Sequence, residues 1–135
     1  MKTIVVGYDE TEPAKRALAR AIEIATAFGS TVIVTSVAPI IHGRGIGPID
    51  PVDPPELHRE ELQHAKALLD EHGIAGELDL ALGDPADHIA GLAEARHADL
   101  VVVGTRGLHL IERMLGLSVS GKVGRKVHCD VLIVR

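Results

Sequence analysis

The chain of 135 residues is almost without aromatic side chains: it has one Tyr, one Phe and no Trp. An aromatic core is therefore excluded. The interior must be filled by Val, Ile, Leu and Ala, in a sequence that is 46% hydrophobic. Such material suits β-branched strands packed against Ala/Leu helices, as in parallel α/β folds. A single cysteine, Cys129, excludes an internal disulfide and fits a reducing compartment. No apolar run approaches the ~20 residues of a membrane-spanning helix. The opening MKTIVVGYDE reaches an acidic residue too soon for a signal peptide, so the expected location is cytoplasmic, with no membrane partner. Lys and Arg number 14 against 19 Asp and Glu, a net charge of −5. With no basic stripe, nucleic acid is not an expected partner.

What is present is an alternation of strands and helices, of a length that suits one domain over 1–135. TIVVGY at 3–8 reads as a buried strand. A helix is expected over 12–28, capped by Thr11, with Pro13 in its first turn and Gly29 as its stop. Its apolar face holds Ala14, Ala17, Leu18, Ala21, Ile22, Ala25 and Phe28. A second buried strand covers 31–37. Residues 39–55 contain five of the seven prolines and read as a long loop. Its Gly43-Arg44-Gly45-Ile46-Gly47 runs into Pro48 rather than opening a helix, so it is no dinucleotide fingerprint. A helix over 56–72 places Leu57, Glu61, Ala65, Leu68 and Leu69 near one face. Leu78, Leu80 and Leu82 alternate with Glu77, Asp79 and Ala81, which fits a strand near a sheet edge with one polar face. A helix from Pro85 to Ala95, a buried strand at 99–103, a short helix over 118–127 and a strand at 130–134 complete the order. Alternation of this kind predicts an open, doubly wound, five-stranded parallel sheet with helices on both faces. Order 3-2-1-4-5 places the switch point between the first and fourth strands.

Ligands of such sheets bind beyond the carboxyl ends of the strands at the switch point. Two marked segments meet there: Gly7-Tyr8-Asp9 and Gly104-Thr105-Arg106-Gly107. The Asp9 carboxylate can accept hydrogen bonds from ribose hydroxyls or an adenine amine. Gly104 and Gly107 allow close backbone approach and positive φ, and exposed amides in such a turn form an anion-binding concavity. Ser118 and Ser120 supply hydroxyls at an expected helix N-terminus, where amides favour phosphate. Each feature alone has a plainer meaning: Asp9 a turn or cap, Gly-x-x-Gly a strand-to-helix turn, Ser118 an N-cap. Their combination at one switch point suggests a nucleoside-phosphate site. GxxxxGK[ST] is absent, so it is not a P-loop.

The segments IVVGYDETEPAKRAL, GDPADHIAGLAEARHADLVVVGTRG and LSVSGKVGRKVHCDVLIVR resemble the universal stress protein family across essentially the whole chain. The resemblance implies an adenine-nucleotide alpha-hydrolase-like fold, a homodimer and, in one branch, ATP binding, with or without Mg²⁺. It implies that Asp9 would meet ribose or adenine and that Val37 and Val103 would flank the base. Gly104 and Gly107 would hold ribose and phosphates, and Ser118, Val119 and Ser120 would close on the phosphates. Three positions depart from that branch. Glu10 and Thr11 replace a Gly-Ser pair, which puts a carboxylate near the site. Leu117 stands where the branch has glycine, with Gly116 one place early. A left-handed leucine there would cost about 1–2 kcal/mol, a close-approach site would be obstructed, and a shifted loop would let Gly116 serve; these alternatives stay open.

The eight histidines show no zinc spacing and read as surface residues, with His109 on the expected phosphate loop. No nucleophile has an evident base, so no catalytic residue is assigned, and slow ATP turnover is the most that enzyme activity would amount to. The last strand, Val131 to Val134, is an expected edge that a second copy could pair. Three readings follow. The first is an ATP-dependent regulatory dimer in stress response, acting on an unknown protein partner. The second is a dimeric interaction module of the same fold without nucleotide, and the third an α/β nucleotide hydrolase.

Overall fold

The structure, a computed structural model, describes residues 1–9, 11–38, 55–105, 112, 115 and 127–135, and for 55–57 the backbone only. The elements are β1 (Thr3–Gly7), α1 (Glu12–Phe28), β2 (Thr31–Ala38), α2 (Pro55–Glu71), β3 (Gly76–Leu82), α3 (Pro85–Ala95), β4 (Leu100–Gly104) and β5 (Asp130–Val134). The five strands form one parallel sheet in the order β3-β2-β1-β4-β5. This is the expected order, with the switch between β1 and β4. The helix expected over 118–127, apart from Val127, and the long loop at 39–54 lie outside the described residues.

The central strands of the sheet are buried on both faces, which is why they are continuous apolar runs rather than alternating ones. Successive side chains still divide by strand parity. Ile4, Val6, Val32, Val34 and Val102 pack against α1 and α2, using Ala17, Leu18, Ala21, Leu62, Ala65 and Leu69. Val5, Ile33, Val101 and Val103 pack against Ala86, Ile89, Ala90 and Ala93 of α3. Small residues on α1 and α3 allow close helix–sheet contact in an interior whose one buried aromatic side chain is Tyr8.

The helix ends follow local chemistry. Thr11, in extended conformation, accepts a hydrogen bond from the Ala14 N–H at its side chain, and Pro13 occupies the first turn. Gly29 ends α1 with φ 69°, a left-handed position that glycine takes without a Cβ penalty. Asp84 caps α3 through the Ala86 N–H at 3.2 Å.

Two expectations are corrected. Phe28 is 63% exposed. It is the last residue of a helix antiparallel to the strands, so it reaches the amino edge of the sheet, where little remains beneath it. Leu68 is 40% exposed, because the buried stripe of α2 runs through His58, Glu61, Leu62, Ala65 and Leu69 and leaves Leu68 at its margin. The polar face of β3 is turned towards α3: Glu77 pairs with Arg96 at 2.6 Å and Asp79 with His88 at 2.5 Å. Both faces carry exposure, at Glu77, Leu78 and Leu82, as befits an edge strand. Among the described residues, no helix is long and apolar enough to cross a membrane.

Candidate functional site

β1 stops at Gly7, opposite Thr35, whereas β2 continues to Ala38 and β4 to Gly104. The chain leaves β1 at Tyr8-Asp9 and turns into α1. The flanking strands therefore stand as walls around a cleft of about 130 Å³ at the carboxyl end of the sheet. Gly7 and Thr35 form its floor, Val37 and Val103 its walls, and Asp9 and Gly104 its rim; Pro85 and Ile89 of α3 close one side. Small-molecule pockets typically measure ~300–1,000 Å³. A volume of this size takes one ring system, and the rest of a larger ligand must extend beyond it.

Four of the residues singled out in the sequence, Asp9, Val37, Val103 and Gly104, thus converge. Gly107, Ser118, Val119 and Ser120 lie outside the described residues, as do Glu10, Leu117 and His109. No cationic side chain lines the described part of the cleft. Compensation for an anionic ligand must come from elsewhere, since the Thr11 and Ala14 amides that reach the lining donate to the Asp9 carboxylate and the Thr11 hydroxyl.

Asp9 has a structural task. Its Oδ1 accepts hydrogen bonds from the Thr11 N–H at 3.1 Å and the Thr11 hydroxyl at 2.6 Å. It thereby shapes the turn that caps α1 while remaining exposed on the cleft rim. Gly104 differs from the sequence expectation. It is not in the left-handed region. A Cβ there would lie 2.7 Å from the Pro13 carbonyl carbon and 2.9 Å from the Ala14 nitrogen. The missing side chain admits the first turn of α1 against β4, which sets where that helix begins over the cleft.

Sequence reasoning missed a polar chain under the cleft floor. The buried Thr35 hydroxyl donates to Asp79 Oδ2 at 2.7 Å, and the same oxygen meets His88 Nε2 at 2.5 Å. On the opposite face, Ser36 Oγ lies 2.5 Å from His58 Nδ1, and Glu61 Oε2 is 3.7 Å from that nitrogen. His58 is only 5% exposed, so the expectation of surface histidines fails for it. The available signal was Thr35-Ser36 within the apolar run TVIVTSVA: two hydroxyls in a buried strand demand partners.

The fold and the cleft at its switch point carry the sequence resemblance into three dimensions, and direct comparison decides it. The universal stress protein family matches residues 1–135. The chain belongs to this family. A universal stress protein of Methanocaldococcus jannaschii is 34% identical over 141 residues, covering 99% of this chain and 82% of the relative. A solved universal stress protein in complex with cAMP is 30% identical with a TM-score of 0.69, covering 99% of this chain and 97% of that one. A universal stress protein from Archaeoglobus fulgidus in complex with dAMP shares the fold, with a TM-score of 0.75 at 23% identity and coverage of 100% and 98%. Solved members of the family thus include complexes with adenine nucleotides.

Proposed function

We propose that this universal stress protein binds an adenine nucleotide, ATP with or without Mg²⁺, in the cleft between β2 and β4. Occupancy would govern its interaction with a protein partner during the stress response in the cytoplasm. The observation that carries the reading is the cleft itself. Gly7, Asp9, Val37, Val103 and Gly104 stand at the switch point of a fold whose solved relatives include a cAMP complex. Val37 and Val103 are spaced as two apolar walls for a planar base, and Asp9 is an acceptor at the rim for ribose hydroxyls. Gly107 with Ser118, Val119 and Ser120 would take the phosphates through amides and hydroxyls. The protein would act as a homodimer through Val131 to Val134. β5 pairs with β4 alone among the described strands, an edge that a second copy would pair.

The test is calorimetric titration of nucleotide-stripped protein with ATP, with and without Mg²⁺, alongside Val37→Glu. Val37 is only half-buried, so the substitution adds a carboxylate to the wall without emptying the core. Micromolar binding by the parent protein, lost in a folded Val37→Glu, is the expected result. A second reading is favoured by Leu117 and Glu10, which depart from the nucleotide-binding pattern. In that reading the chain is a dimeric interaction module, and a folded, dimeric parent protein that does not bind ATP would establish it.

A further inference from the structure

β3 pairs with β2 alone among the described strands, at the edge of the sheet away from β5. Natural edge strands are blunted by proline, lysine, bulges or charge. β3, GELDLAL, has no proline or lysine, and it runs in unbroken register with Val32 to Ala38. Its two carboxylates lie on the α3 face and are engaged within the chain, Glu77 by Arg96 and Asp79 by Thr35 and His88. The other face carries Leu78, Leu80 and Leu82. Leu80 packs on the core, whereas Leu78 is 39% and Leu82 54% exposed. Two hydrogen bonds fix the direction of the backbone. The Val32 N–H donates to the Ala75 carbonyl, and the Gly83 N–H donates to the Ala38 carbonyl. Odd-numbered residues from Ala75 to Gly83 thus turn their backbone groups to β2, and Leu78, Leu80 and Leu82 turn theirs away from it. The same three residues carry the apolar face and the outward hydrogen-bonding groups.

We infer that β3 is a self-recognition edge, which pairs antiparallel with β3 of a second copy about a two-fold axis at Leu80. This register sets Leu80 opposite its own counterpart and Leu78 opposite Leu82 of the second copy. Both are pairs of outward-facing residues, so each exchanges two hydrogen bonds. Asp79 then stands opposite Ala81 and Glu77 opposite Gly83, so no carboxylate meets another. The neighbouring registers are worse. An axis at Asp79 opposes that residue to itself, and one at Leu78 opposes Glu77 to Asp79; like charges directly opposite are destabilising. An axis at Ala81 sets Leu78 against Asp84, which lies beyond the strand and caps α3. The inference does not depend on nucleotide binding and concerns a different edge from β5. With β5 also paired, alternating two-fold contacts link copies beyond a dimer.

Sedimentation equilibrium over a wide concentration range is compared for the parent protein, Leu82→Lys on β3 and Ile133→Lys on β5, each checked for folding by circular dichroism. The parent protein is expected to self-associate. Leu82→Lys, which enters a two-fold contact twice, should weaken association by about tenfold or more, and Ile133→Lys should leave the β3 contact in place. The register is read by disulfide formation. In a Cys129→Ala background, Leu78→Cys and Leu82→Cys proteins, one of them isotope-labelled, are mixed and oxidised. Directly opposed residues of a hydrogen-bonded pair lie about 5.5 Å apart at Cα, within the ~4.4–6.8 Å that a disulfide spans. The mixed disulfide should exceed each homodisulfide by about tenfold, against the roughly twofold of random pairing. A parent protein that stays monomeric, association unmoved by Leu82→Lys, or disulfides in random proportion overturns the inference. Association lost only in Ile133→Lys overturns it as well and leaves β5 as the contact.

Discussion

Gly104→Ala separates two explanations of the glycine that ends β4. If the glycine serves a ligand, the nucleotide-free protein should tolerate a methyl group. The structure puts that methyl 2.7 Å from the Pro13 carbonyl carbon, 2.8 Å from Pro13 Cβ and 2.9 Å from the Ala14 nitrogen. These are mostly backbone atoms of a capped helix start, so relief requires displacing α1 rather than rotating a side chain. Overpacking of this kind costs about 1–3 kcal/mol. The loss of unfolded-chain entropy on replacing glycine returns about 0.4–1 kcal/mol. The net is a destabilisation of about 1–2 kcal/mol, equivalent to a Tm lower by roughly 4–8 °C for a chain of this size. Gly7→Ala is the internal comparison. Its Cβ would sit 3.3 Å from the tips of Ile89 and Val103, which can give way, so its loss should stay below about 1 kcal/mol. Urea unfolding of the nucleotide-free variants gives both values. A Gly104→Ala protein as stable as its parent, or less perturbed than Gly7→Ala, would refute the packing argument.

Three further outcomes follow from the described contacts. Thr11→Ala removes the side-chain acceptor of the Ala14 N–H and the hydroxyl held by Asp9, and should lower stability by about 1 kcal/mol in denaturant unfolding. The Asp99 carboxylate accepts the backbone N–H of Lys2 at 2.7 Å and of Thr3 at 3.1 Å, which hold it below its ordinary value of 3.8. Its contribution is therefore present above that value and lost as pH falls through the lower folded one. Asp99→Asn should flatten the decline of unfolding midpoints below about pH 4, and an unchanged acid profile would contradict this. Burial pushes the Cys129 thiol up, with Asp130 and Asp99 adding to the rise, so a thiol reagent at about pH 8 should label the folded protein more slowly than the urea-unfolded chain.

The strands were legible because parallel sheets bury both faces, and uninterrupted Val/Ile runs such as TIVVG and LVVVG announce this directly; their order was the one the family resemblance implies. Caps were legible because Thr11, Gly29 and Asp84 act within a few residues of themselves. The polar chain beneath the cleft was not. Thr35 and Asp79 are 44 residues apart in sequence and meet only through strand register, and alternation in β3 assigns Asp79 to a polar face without saying that α3 covers it. The burial of His58 depends similarly on Ser36, 22 residues earlier. Gly104 was found through its spacing to Gly107, which suggested a ligand turn; the further constraint from Pro13 was not legible, because no local pattern connects that residue to β4.

The central claim, that an adenine nucleotide occupies the cleft at the switch point, is tested most directly by amide chemical-shift mapping of the isotope-labelled, nucleotide-stripped protein on addition of ATP. The account predicts saturable shifts concentrated at Gly7, Asp9, Thr35, Val37, Val103 and Gly104, with the outer face of α2 unaffected. Absence of shifts at saturating ATP, or shifts centred on the groove between α1 and α2 near Lys15, Leu68 and His72, would contradict it.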